Sequence, residues 1–104
     1  MRFMLIVHMT TETANSAVRE GRVGALLQRT MEQLQPEAAY FGPLEGMRTA
    51  FLVINLDDVS RIPAISEPFY QELGARLDFV PVMTADDLAK GLAAIAQAGA
   101  PSGT

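Results

Sequence analysis

Two stretches of this chain are apolar on both of their alternating faces, and few folds can accommodate that pattern. In Arg2–Met9 the side chains Phe3, Leu5, Val7 and Met9 point one way, while Met4 and Ile6 point the other. In Arg48–Leu56, Ala50, Leu52, Ile54 and Leu56 line one face and Phe51 and Val53 the other. A strand at the edge of a sheet, or with one face in water, alternates apolar and polar residues. Strands hydrophobic on both sides belong in the middle of a sheet with cover above and below.

The remaining segments fit around two such strands. After a polar turn, Thr10 to Ser16, the three- and four-residue recurrence of Ala17, Gly24, Leu27, Met31 and Leu34 predicts a helix over about 14–34. Gln35-Pro36 ends it. A short strand is expected from Glu37 to Gly42, and a turn from Gly42 to Gly46. Asp57-Asp58 caps a short helix through about Ser66, closed by Pro68. Arg76 to Met83 reads as a last strand, with Pro81 marking an edge or bulge. Thr84 with Asp87 forms a capping-box pattern at the start of a final helix carrying Leu88, Leu92 and Ile95 on one face.

The order strand, helix, strand, strand, helix, strand is the ferredoxin-like βαββαβ arrangement of the α+β class, here with an extra C-terminal helix. Its four-stranded antiparallel sheet places the first and third strands centrally, and these are the two that read as buried on both faces. One domain over residues 1–99 is expected, with 100–104 as a disordered tail. Helices in this arrangement cover one face of the sheet. The other face still carries large apolar side chains, more than a monomer usually leaves in water. A second copy of the chain is the simplest cover, so a homodimer or higher symmetric oligomer is expected.

Charge and composition remove several function classes. The formal net charge is −4 with no cluster of Lys or Arg, which argues against nucleic acid. The chain has no cysteine, so disulfides and thiolate metal sites are excluded; this fits a reducing compartment, and the expected location is cytoplasmic. The apolar run at the N-terminus is short, meets His8 and is followed by no small-residue cleavage motif, so it reads as a strand and not a leader. No segment has the roughly 20 apolar residues needed to span a bilayer, and no membrane partner is expected.

The start MRFMLIVHMT, the stretch PEAAYFGPLEGMRTAFLVINLDD and the segment EPFYQELGARLDFVPVMTADDLAKGL resemble the muconolactone isomerase-like proteins of the dimeric α+β barrel superfamily. The resemblance implies a ferredoxin-like protomer and the pairing of two sheets into a barrel. It also implies an isomerase that moves a proton on an unsaturated lactone without metal or organic cofactor, with cofactor-free monooxygenase chemistry second. The loop after the first strand differs from the authentic isomerase and the histidine is offset, so no catalytic residue is carried over from it.

Few residues could carry chemistry. His8, the only histidine, lies near the end of a central strand on the Met4/Ile6 face, and an imidazole is the side chain suited to act as a base at neutral pH. Tyr40 and Tyr70 offer phenols that could bond to a ligand carbonyl. Arg48 could hold a carboxylate with two prongs. Asp78, between Leu77 and Phe79, could accept a proton. Gly24, with Gly21, leaves room on the first helix for a close approach or a ligand. His8, Tyr40 and Arg48 are the catalytic candidates; Tyr70, Asp78 and Gly24 are candidates for substrate binding. Each has a plain structural alternative, such as a satisfied strand-end histidine or a surface ion pair. A lone histidine without a paired-ligand spacing gives no metal site.

Two functions fit these residues. One is a cofactor-free enzyme acting on a small cyclic or aromatic apolar molecule. It requires a closed pocket between helices and sheet that holds at least two of His8, Tyr40 and Arg48. The other is a non-catalytic small-ligand-binding or assembly module of a biosynthetic or catabolic pathway, whose pocket gathers no such set.

Overall fold

A computed structural model of the chain describes residues 1–99; the expected tail, 100–104, lies outside the described residues. Four strands form one antiparallel sheet: β1 (Arg2–Met9), β2 (Ala38–Leu44), β3 (Met47–Asn55) and β4 (Arg76–Pro81), in the order β2-β3-β1-β4. The two strands that read as apolar on both faces are the central pair, in register from Arg2 opposite Asn55 to Met9 opposite Arg48. The α+β order roughly follows βαββαβ with an extra helix.

The sheet is open, which corrects the barrel expected from the resemblance. Strands β2 and β4 are its edges, and neither pairs with a further strand among the described residues. Each carries a proline, Pro43 and Pro81, a residue that has no N–H to extend a ladder and is at home on an edge.

Helices cover one face. Phe3, Leu5 and Val7 of β1 and Ala50, Leu52 and Ile54 of β3 are buried there, packed with Ala14, Ala17, Leu26, Ile65, Phe69 and Leu73 from the helices. The single helix expected over 14–34 is two: α1 (Thr11–Arg19) and α2 (Arg22–Leu34). They part at Gly21, whose φ of 74° is the left-handed value that glycine tolerates. The break resets the helical phase, so the inward residues of α2 are Leu26 and Thr30, with Val23, Leu27 and Leu34 partly buried. Gly24, counted into the stripe from the sequence, faces solvent.

The β2–β3 hairpin turns on Glu45 and Gly46 alone, with φ of 54° and 76°, the doubly positive geometry whose twist matches the flanking strands. Beyond β3, Asp58 accepts a bond from the Ser60 N–H at a short turn of 3₁₀ helix, which leads into α3 (Ile62–Leu73). Pro63 falls in the first turn of α3, where its missing N–H costs nothing. Pro68, expected from the sequence to close this helix, sits inside it. Its would-be partner, the Ala64 carbonyl, belongs to an exposed residue, so water can take the lost bond. Gly74, left-handed at φ 56°, ends the helix.

The last helix, α4 (Ala85–Gln97), starts from the expected capping box: the Asp87 N–H donates to Thr84 Oγ1 and the Thr84 N–H to the Asp87 carboxylate. No residue of α4 is buried. Leu88, Leu92 and Ile95 are 47%, 57% and 53% exposed. The helix extends from the body, which gives a radius of gyration of 17.4 Å, against about 13 Å for a compact chain of this length. No helix among the described residues is long and apolar enough to cross a membrane.

Candidate functional site

The face of the sheet away from the helices is a grid of three rows, each crossing all four strands. Ala38, Val53, Met4 and Val80 form one row; Tyr40, Phe51, Ile6 and Asp78 the next; Gly42, Thr49, His8 and Arg76 the last. The first two rows are an apolar patch with one carboxylate at its edge. No helix lies over it: Tyr40 is 66% exposed and Val80 41%.

At the polar end of this grid the antiparallel register of β1 and β4 brings His8 to Asp78. The His8 ring is almost wholly buried, 3% exposed. Its Nε2 lies 2.9 Å from the Asp78 carboxylate, close enough to donate a charge-assisted bond. Arg76 Nη2 lies 3.3 Å from the same nitrogen and 3.6 Å from the Asp78 carboxylate. With Nε2 protonated toward Asp78, the guanidinium supports the carboxylate. Nδ1 is then the basic nitrogen, and it is buried and without a hydrogen-bond partner among the described residues. As placed, no ligand can reach it.

The second feature lies on the helix side, at the hairpin end of the sheet. A cleft of about 700 Å³ opens there, walled by Met9, Val23, Leu27, Phe41 and Met47, within the range of about 300–1,000 Å³ usual for small-molecule sites. Local sequence builds each wall. The Gly21 break turns α2 so that Val23 and Leu27 face the sheet, and the tight hairpin sets Arg48 beside Met9 and Pro43 in one row. Thr11, Asn15, Arg48 and Thr49 are the cleft's polar side chains, and the Thr49 hydroxyl already donates to the Met47 carbonyl. Arg48 Nη1 donates to Asn15 Oδ1 at 2.9 Å. Among the described residues no carboxylate lies within ion-pair distance of Arg48 or of Arg19, whereas Arg2, Arg22, Arg29, Arg61 and Arg76 all have one; of the two, Arg48 is the one that lines the cleft.

The residues singled out from sequence are thus dispersed. His8 and Asp78 meet. Tyr40 shares their face and is in the same row as Asp78, but on the opposite edge, about three strand spacings or ~14 Å away. Arg48 is on the other face, in the cleft. Tyr70, on α3, is exposed, and Gly24 lies outside the cleft with open space where a Cβ would be. The sequence reading missed Asn15, Val23, Leu27 and Phe41 as cleft walls; the one available signal was the unbroken spacing of Val23 and Leu27 once Gly21 is taken as a helix boundary. No group of three or more His, Cys, Asp or Glu side chains that could hold a metal ion is found among the described residues.

Comparison with known proteins corrects the resemblance to muconolactone isomerase-like proteins. The family model that matches is described as a domain of unknown function, DUF3303, and it covers residues 1–96. No curated protein and no solved structure matches, so neither the barrel nor the isomerase identity has support. With a match over residues 1–96, nearly its whole length, the chain belongs to the DUF3303 family.

Proposed function

We propose that the chain is a non-catalytic binding protein for a small apolar molecule and works as a self-associated pair. The carrying observation is the make-up of the cleft: apolar walls with Arg48 at the rim, and neither His8 nor Tyr40 inside. A proton-transfer enzyme needs a base within hydrogen-bond reach of the ligand. His8 has one nitrogen committed to Asp78 and the other buried.

Pairing is supported by two unpartnered apolar surfaces on the same chain. One is the patch of Met4, Ile6, Phe51, Val53, Tyr40 and Val80; the other is the Leu88/Leu92/Ile95 stripe of α4. In a two-fold pair each copy offers both surfaces to the other, so the contact is self-complementary. The sheet face and the arm together offer a flat footprint of roughly 600 Å² per copy, near the ~800 Å² per partner of ordinary stable interfaces. Each sheet stays open at its edges in such a pair.

A thermal-shift titration with a neutral aromatic probe such as 2-naphthol tests the ligand reading. At a tenfold excess over Kd, binding adds about 1.4 kcal/mol, or roughly 6–11 °C in Tm for a domain of this size. Val23→Trp, which puts an indole against the apolar wall of the cleft, should abolish the shift, and His8→Gln should keep it. A shift lost in His8→Gln but retained in Val23→Trp would place the ligand on the open face and contradict the proposal.

A further inference from the structure

We infer that the cleft ligand is a monocarboxylate with an apolar body, held by Arg48. This rests on the cleft being a binding site, and it adds the chemical class of what binds. Arg48 is the cation that lines the cleft. A guanidinium has five N–H donors; here the Asn15 bond engages Nη1, and no carboxylate of the described chain neutralises the charge. An arginine without an acid, in a chain of net charge −4, is electrostatically set for an outside anion.

Asn15 fixes the geometry. Its Oδ1 accepts from Arg48, which holds the guanidinium at the rim and turns the amide Nδ2–H₂ into a further donor for a second anionic oxygen. Thr11 adds a hydroxyl and is the first residue of α1, so the positive end of that helix dipole opens at the same rim. One charge against three donor groups suits a single carboxylate, which pairs with arginine through two parallel bonds. A phosphate dianion or a nucleotide needs more cations than this cleft supplies. The apolar body would lie against Val23, Leu27, Phe41 and Met9.

The test is calorimetric titration of the full chain with matched pairs: phenylacetate against phenylacetamide, and 2-naphthylacetate against 2-naphthylacetamide. Each acid should bind at least about tenfold more tightly than its amide, the low end for a charge-assisted pair. Arg48→Gln should weaken the acids much more than the amides and bring the ratio close to one, and Arg48→Lys should restore part of the preference as a point charge. Acids and amides that bind alike would overturn the carboxylate inference and leave the cleft reading standing. Equal weakening of acid and amide in Arg48→Gln would also overturn it, and no binding of either member of either pair would overturn both.

Discussion

Leu92→Ala in α4 separates a helix that serves a second copy from one that serves its own body. Leu92 is 57% exposed and α4 buries no residue against the rest of the chain, so truncation opens no cavity in the single copy. Alanine is at least as good a helix former as leucine, so the arm keeps its helix. In a pair, Leu92 would give up its remaining exposed surface. Full burial of a leucine is worth about 1.5–3 kcal/mol, and a little over half of that, about 1–1.5 kcal/mol, is still to be gained here. Two arms double it to about 2–3 kcal/mol, which weakens the pair by roughly 30- to 150-fold in Kd. Sedimentation equilibrium over a dilution series measures that Kd, and thermal unfolding at the lowest concentration measures the single copy. The expected result is a weakened pair with the Tm of the dilute chain unchanged. An unaltered Kd, or a Tm that falls equally at every concentration, would refute the reasoning.

Three further outcomes are expected. Leu52→Ala empties a fully buried position beneath the helices and should cost about 2–5 kcal/mol in denaturant unfolding; a loss under 1 kcal/mol would mean the core is not where the structure places it. Gly21→Ala forces a side chain into a left-handed residue at φ 74° with open space around it, so backbone strain alone should destabilise by about 1 kcal/mol, whereas Gly24→Ala, in a regular helical position, should stabilise by a similar amount. Asp87 is held below its usual 3.8 by the Thr84 backbone N–H, then by the Thr84 side chain; the benefit is full above that usual value and is lost as pH falls through the lowered one. Amides of the first turn of α4 should therefore gain exchange in strong acid and be unaffected between neutrality and mildly acidic pH, and Asp87→Asn should remove that acid dependence.

Much of the fold is written in local pattern. The two-faced strands identify the centre of the sheet, and the Thr84/Asp87 box marks the start of α4. Two features were hidden for physical reasons. A glycine within an apolar period of three and four looks like a tolerated helix residue, and only its left-handed φ shows that Gly21 ends one helix and restarts the phase of the next. Pro68 looks like a terminator because the sequence does not show that the carbonyl it leaves unpaired belongs to an exposed residue. The site was harder still. His8 and Asp78 were each singled out, yet their meeting depends on the register of strands 70 residues apart, and the cleft depends on the angle at which α2 leaves Gly21. The barrel came from resemblance alone, and β2 and β4 remain open edges.

The most direct test of the binding account is a methyl spectrum of the protein recorded with and without saturating 2-naphthylacetate. The account predicts that resonances of Met9, Val23, Leu27 and Met47 move while those of Ile6, Val53 and Val80 stay in place. Shifts confined to Ile6, Val53 and Val80, on the open face of the sheet, would contradict it.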